Sequence, residues 1–198
     1  MDQIWMRIKE VAETNNGFIK TAQVEGLGIS RPMLRKYTDA GKLERVCKGL
    51  YILAGDMTDE YALLQARSKA AVFSYGTALF LWGLSDRVPH NYDITLPRGA
   101  NIALLKRDNP NLRCHYVQPD IYEIGITETT SPQGAAVRLY DRERCICDLI
   151  RNKEQVDMQL YSQAIKVYFK SKPNNRKLLK YGKIFGIEDK IRIYMEVL

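Results

Sequence analysis

Residues 17–53 carry a dense series of helix start and stop signals, which restricts the fold more than any other feature of the chain. Apolar residues recur at helical spacing over residues 2–14, and the Asn-Asn-Gly that follows predicts the end of that helix. Thr21 is a good N-cap for a short helix over about 22–26, because its hydroxyl can accept a hydrogen bond from a free backbone N–H. The Gly-Leu-Gly-Ile of residues 26–29 then predicts a turn.

A second helix is expected directly after this turn. Ser30 is suited to cap it, and Pro32 stands in the first helical turn, where its missing N–H costs nothing. The helix is expected to run to about Ala40, and Gly41 to end it. Residues 43–53 have the pattern of a β-hairpin with a glycine at the turn. Helix, turn, capped helix and hairpin in this order predict a winged helix-turn-helix.

The second helix and the hairpin combine an apolar face with exposed cations. Arg31 and Arg35 are four residues apart and share one face of the helix, where arginine can bind guanine edges or phosphate. The apolar stripe of the helix is predicted to be Met33, Leu34 and Tyr37. The residues predicted to contact DNA are Ser30, Arg31, Arg35 and Lys36 in the helix, and Arg45 and Lys48 in the wing.

The charge distribution supports a polyanionic partner. The net charge is +7, and it divides into +3 over residues 1–55, −2 over 56–150 and +6 over 151–198. A long polyanion suits positive charge at both ends of the chain better than a small acidic substrate does. No apolar run approaches the roughly 20 residues that span a bilayer, and the N-terminus does not resemble a signal peptide, so we expect a cytoplasmic protein.

The remainder of the chain predicts an α+β domain. Its segments are helices over 59–70 and 74–84, strands over 93–97, 112–117 and 137–140, and helices beginning at Asp141 and covering 155–170, 173–186 and 188–198. The predicted domains are a winged helix-turn-helix over residues 1–56 and a mixed α/β domain over 57–198 that ends in helices.

Nothing in the sequence points to catalysis, a metal or a cofactor. The four cysteines are expected to be free thiols, and the two histidines to be ordinary structural or surface residues. The acids available to a nuclease are Asp93, Asp141, Glu143 and Asp148, but residues 142–144 resemble a charged, exposed helical turn and Asp141 suits an N-cap. Neither a phosphate-binding loop nor a nucleophile elbow is present, so an enzyme is the less favoured interpretation.

The chain also resembles a known family. The strings GFIKTAQV at 17–24, GISRPMLRKY at 28–37 and GKLERVCKGLY at 41–51 are similar to the N-terminal domain of AbiEi-type antitoxins, which belong to abortive-infection systems classed as type IV toxin–antitoxin. The resemblance continues through SYGTALFLWGLS at 74–85, DITLP at 93–97 and YDRERCICDLIR at 140–151.

The resemblance implies two roles. The winged helix would repress the protein's own operon by binding inverted repeats in the promoter, and the C-terminal domain would neutralise a nucleotidyltransferase-like toxin without a stable complex. The positions that the family uses on DNA fall on the helix and wing residues named above. Such a system would serve phage defence.

Besides the enzyme, a ligand-sensing regulator remains as an alternative at this stage. A ligand-sensing winged-helix regulator would need a pocket, which Tyr75, Phe80 and Trp82 could line, although aromatics at helical spacing are more often core.

A lysine-rich surface near the C-terminus is either a solvated face or a second nucleic-acid surface. Its predicted members are Lys166, Lys170, Lys177, Lys180 and Lys183.

Overall fold

The structure is a computed structural model that describes residues 2–56 and 59–198. Its packing divides the chain into two compact units, Met1–Arg67 and Ser68–Leu198. The sequence predicts the division between residues 56 and 57. The packing instead places the helix Glu60–Arg67 in the first unit. The predicted functional limits of the two domains stay a prediction.

The first unit is a small helical domain with a three-stranded antiparallel sheet. Its described helices are α1 Gln3–Thr14, α2 Thr21–Gly26, α3 Arg31–Asp39 and α4 Glu60–Arg67. Its strands are β1 Phe18–Lys20, β2 Leu43–Cys47 and β3 Leu50–Leu53, in the order β1-β3-β2. This arrangement confirms the predicted winged helix-turn-helix, with α2 and α3 as the paired helices and β2–β3 as the wing.

Capping residues set the limits of these helices. The Asp2 carboxylate accepts hydrogen bonds from the N–H of Ile4 (3.1 Å) and Trp5 (3.4 Å) at the start of α1. Thr21 was predicted to cap α2, but the helix begins at Thr21 itself. The N-cap position is Lys20, whose backbone is extended. The Gln23 side chain accepts a hydrogen bond from the Lys20 N–H at 3.2 Å, as the third helical residue of a capping box does.

One apolar core holds the first unit together. Apolar side chains from α1, β1, α2 and α3 meet there with Ile29 from the turn and Leu43 from the wing. Burial raises the pKa of Tyr37 to about 12, as does the hydrogen bond that its hydroxyl donates to Asp2. Tyr37 therefore links the inner face of α3 to the start of α1. The buried members are Ile8, Val11, Ala12, Ile19, Val24, Ile29, Leu34, Tyr37 and Leu43.

The second unit is a mixed sheet with helices, and it confirms the predicted α+β class. Its described helices are α5 Tyr75–Leu81, α6 Ala103–Asp108, α7 Pro119–Tyr122, α8 Arg142–Arg151, α9 Met158–Lys170, α10 Asn175–Phe185 and α11 Glu188–Val197. Its strands are β4 Val72–Phe73, β5 Tyr92–Pro97, β6 Leu112–Val117, β7 Ile126–Thr130 and β8 Ala136–Tyr140, in the order β6-β5-β4-β8-β7. The pairs β5–β6 and β4–β8 are parallel, and the other two are antiparallel.

Helix α8 lies in the interior of this unit, and here one expectation was wrong. Residues 142–144 were expected to form an exposed charged turn, but Glu143 is buried and Arg144 is only 1% exposed. The Arg144 guanidinium pairs with Asp148 at 2.9 Å and lies 4.3 Å from the Tyr140 ring and 4.6 Å from the Phe185 ring. The Asp148 carboxylate and the backbone carbonyls of Ile121 and Ile124, which accept hydrogen bonds from Arg144, make burial of this charge tolerable.

The aromatic residues considered for a pocket take part in packing instead. The Trp82 indole N–H donates to the Tyr140 carbonyl at 2.8 Å, and the Tyr75 ring lies 4.2 Å from the His115 ring. All three of Tyr75, Phe80 and Trp82 are half-buried. Among the described residues, no helix combines the length and the apolar character needed to cross a membrane.

We expect Arg144→Ala to lower the free energy of unfolding by about 3–5 kcal/mol, because it leaves Asp148 charged and buried without its partner. Arg192→Ala is the matched control, since Arg192 also pairs with an acid one helical turn away but is 54% exposed. Its removal should cost less than about 1 kcal/mol. Urea unfolding followed by far-ultraviolet circular dichroism compares the two, and equal small losses would contradict a central role for Arg144.

Candidate nucleic-acid interface

Helix α3 has one buried face and one charged face. Leu34 and Tyr37 are buried and Met33 is half-buried, which is the predicted apolar stripe. The predicted DNA-contacting residues of this helix are all exposed: Ser30, Arg31, Arg35 and Lys36. The helix therefore presents its cations to solvent while its apolar side packs on the core, as a recognition helix must.

The start of α3 is open for contact with an anion. Ser30 occupies the N-cap position as predicted, but its side chain makes no capping hydrogen bond. Its hydroxyl is therefore not committed to the helix, and Pro32 at the start of the helix has no N–H to satisfy.

The arginines of α3 differ in how firmly they are held. The Nε of Arg31 donates to the Glu25 carboxylate of α2 at 2.6 Å, and this bond raises the pKa of Arg31. The Nε of Arg35 lies 3.8 Å from Asp39, and both side chains are largely exposed. Arg31 is thus oriented by a neighbouring helix, whereas Arg35 is held only weakly by its own helix.

The wing is tied to the helix-turn-helix through its backbone. Gly49 has a φ of +80°, a conformation that side chains disfavour, and this allows the tight turn after Lys48. The Gly49 carbonyl accepts a hydrogen bond from the Thr21 N–H at 2.9 Å, which joins the tip of the wing to the start of α2. In addition, β1 pairs with β3 from Phe18↔Ile52 to Lys20↔Leu50. The wing therefore shares a sheet with the segment that leads into α2.

A concave surface brings part of the predicted set together. We name it the helix–wing cavity; its volume is about 590 Å³, and its charged lining residues are Lys20, Glu25, Arg31, Arg45, Lys48 and Arg67. Arg31, Arg45 and Lys48 were predicted, and the structure places them around one cavity. Ser30, Arg35 and Lys36 are not in its lining.

Sequence reasoning missed three residues of this cavity: Lys20, Glu25 and Arg67. Lys20 ends a three-residue strand that was not predicted, so nothing indicated that it would lie near the wing. Arg67 ends α4, which was assigned to the other domain. Glu25 carried a signal, because an acid six residues before Arg31 lies across the turn of a helix-turn-helix.

The lysines of the second unit do not form one uniform surface. Lys166 and Lys170 are exposed on α9, and Lys180 and Lys183 are exposed on α10. Lys177 is half-buried, with its Nζ 2.8 Å from Asp141 and 3.6 Å from Glu143. Burial lowers the pKa of Lys177, but these two carboxylates outweigh that effect and raise it. Lys177 thus neutralises two carboxylates at the start of α8.

A groove between α10 and α11 is lined by several cations. This α10–α11 groove has a volume of about 610 Å³ and includes Arg176, Lys177, Lys180 and Lys183 in its lining. Arg192 also lies there, but it is paired with Glu188 at 2.6 Å. Lys166 and Lys170 are not in the lining.

The acids considered for catalysis are held in structural contacts. Asp93 bonds to the His115 ring at 2.9 Å, and Asp148 pairs with Arg144. Asp141 caps α8 through the Arg144 N–H at 2.8 Å, as predicted. Across residues 2–56 and 59–198, no group of three or more His, Cys, Asp or Glu side chains could hold a metal ion. Burial raises the pKa of the Cys147 thiol to about 12.

Comparison with known proteins finds one family match, which lies within the first unit. Residues 6–54 match the family described as "Transcriptional regulator, AbiEi antitoxin". The resemblance to AbiEi antitoxins is confirmed for this segment. The match covers most of α1, the helix-turn-helix and the wing, and it includes all six residues that were predicted to contact DNA.

The fold extends beyond the segment that this family covers. A crystal structure of the RV2827C protein from Mycobacterium tuberculosis superposes with a TM-score of 0.59 at 12% identity, covering 89% of this chain and 69% of that one. At this identity the likeness concerns the fold alone, and it includes most of both units. A search of curated proteins found no match.

We expect Gly49→Ala to destabilise the first unit by about 1–2 kcal/mol, because alanine resists the positive φ at the tip of the wing. Gly26→Ala is the matched control: Gly26 lies in α2 without a positive φ, and no atom lies within 4 Å of the added Cβ. It should cause no loss of stability. Thermal unfolding of the two variants measures the difference, and equal melting temperatures would contradict the assigned turn conformation.

Proposed function

We propose that this protein is an antitoxin that represses transcription of its own operon by binding inverted repeats in the promoter through the winged helix. The observation that carries the proposal is the arrangement of Arg31, Arg45 and Lys48 around one cavity beside the exposed face of α3. In this geometry α3 enters the major groove and the wing follows the sugar–phosphate backbone.

The contact residues have different tasks in this proposal. Arg35 and Lys36 lie on the open face of α3, where a guanidinium can bind a base edge with two hydrogen bonds. Arg31, Arg45 and Lys48 surround the helix–wing cavity and bind phosphate, joined by Lys20. The Ser30 hydroxyl and the backbone N–H of Arg31 bind a further phosphate.

The neutralising activity is assigned to the second unit. We propose that it counteracts a nucleotidyltransferase-like toxin without a stable complex, in a type IV abortive-infection system that protects against phage in the cytoplasm. The family match of the first unit supports an antitoxin regulator, and the α10–α11 groove offers an exposed cationic surface for this second activity. Co-expression with the neighbouring toxin gene separates an antitoxin, which restores growth, from a ligand-sensing repressor, which does not.

We expect Arg35→Ala to weaken binding to the promoter repeats by about 1–3 kcal/mol while leaving binding to unrelated DNA nearly unchanged. Lys48→Ala should weaken binding to both DNAs alike and reduce the salt slope by about 1, because one phosphate contact is lost. Gel-shift titrations at two salt concentrations distinguish the two patterns.

Lys106→Ala, an exposed cation of α6 in the second unit, is the control for simple loss of charge. Unchanged promoter binding in both the Arg35 and the Lys48 variants would refute the placement of the interface.

Charge reversal tests the surface of the second unit. We expect the variant with Lys170→Glu, Lys180→Glu and Lys183→Glu to lose growth rescue in the toxin co-expression assay while it keeps promoter binding. Lys177 is left unchanged because it neutralises Asp141 and Glu143. Full rescue by a folded triple variant would exclude these lysines from neutralisation.

A further inference from the structure

A cavity of about 480 Å³ lies in the second unit, beside the C-terminal end of α8. We name it the tyrosine cavity, and its main lining residues are Ile150, Arg151, Lys153, Tyr161, Lys190 and Tyr194. They come from α8, from the short 3-10 helix Lys153–Gln155, and from α9 and α11. Its volume is within the range of sites that enclose a small molecule.

The aromatic side of this cavity is held in one arrangement. The hydroxyls of Tyr161 and Tyr194 are 2.6 Å apart, and the ring of Tyr194 stacks on Phe169 with an angle of 22° between the planes. In a pair of hydroxyls only one proton lies between the oxygens, so the accepting hydroxyl keeps its own proton for a further acceptor. Ile193, also in the lining, is 60% exposed. The wall therefore offers apolar area, a ring and one hydrogen-bond donor.

The other side of the cavity is cationic, and one of its cations also contacts a ring: the Nζ of Lys153 lies 5.4 Å from the centre of the Tyr161 ring. Arg151, Lys153 and Lys190 are exposed, and within the described residues none of them has a carboxylate partner within 4 Å. Glu154 is the acid of the lining, so the net charge there is positive. Cations at the end of α8 also offset its dipole, but Lys190 lies in the first turn of α11, where a cation has no such effect. Together, the three cations give this side of the cavity a positive charge that suits an anion.

We propose that the tyrosine cavity binds a nucleoside phosphate, with the base against Tyr194 and Ile193 and the phosphate between Arg151, Lys153 and Lys190. A planar ring that stacks on an aromatic side chain and carries an anion fits this combination of surfaces. Such a ligand is either a free mononucleotide or the terminal residue of a single strand. The proposal is independent of DNA binding by the winged helix and gives the second unit a binding activity of its own.

Isothermal titration calorimetry on the full chain tests this directly. The probes are the four ribonucleoside monophosphates, adenosine as a base without phosphate, and pyrophosphate as an anion without a base. We expect at least one monophosphate to bind, and adenosine and pyrophosphate each to bind about tenfold more weakly or worse. No binding of any monophosphate at about 1 mM, or equal binding of pyrophosphate, would overturn the proposal.

Variants locate the binding. Lys153→Gln and Lys190→Gln should each weaken the monophosphate severalfold, while Lys106→Gln, the same change at an exposed position of α6, should not. Tyr194→Leu should remove the preference for a nucleotide over pyrophosphate. An equal effect of Lys106→Gln would show non-specific attraction and reject the site.

A short single-stranded RNA distinguishes the two sources of the ligand. If it displaces the monophosphate in the native protein and binds severalfold more weakly to the Lys153→Gln variant, the terminal residue of a strand occupies the cavity. If it does not displace the monophosphate, the ligand is the free nucleotide. Promoter binding measured in the same variants should remain unchanged, since the winged helix lies in the other unit.

Discussion

The second unit depends on one buried charge. The guanidinium of Arg144 is enclosed between the rings of Tyr140 and Phe185, pairs with Asp148, and donates to two backbone carbonyls of the segment before β7. Strand β8, helices α7, α8 and α10 and the segment after α7 therefore meet at a single side chain. A charge in the interior is tolerated only when all its partners are in place, so these elements must come together in one arrangement.

The same principle applies to the acids near α8, which are held by partners from neighbouring helices. Asp141 caps the helix, accepts a bond from the Tyr181 hydroxyl at 2.9 Å and pairs with Lys177. Glu143 accepts from Tyr168 at 3.2 Å. Each carboxylate thus joins α8 to α9 or α10. The functions that we propose for this unit accordingly lie on its outer surface, where cations without carboxylate partners are found.

Local signals in the sequence predicted the winged helix well, because its helices are short and their ends depend on capping residues and glycines. The wing followed from the turn at Gly49. Burial of Arg144 could not be predicted, because a charged run at the start of a helix looks the same whether the helix lies inside or outside. Lys20 and Arg67 escaped notice for a related reason: their place beside the wing depends on the pairing of β1 and on the packing of α4, which are non-local contacts.

The ion pair between Glu25 and Arg31 has a consequence for what the winged helix can hold. In the interface that we propose, Glu25 holds the Nε edge of Arg31 at 2.6 Å and leaves the other edge of the guanidinium to a phosphate. A duplex that engages Arg45 and Lys48 at the same moment brings its next phosphate to that edge at a high local concentration. The consequence, in this proposal, is a preference for polymeric anions over single phosphate ions.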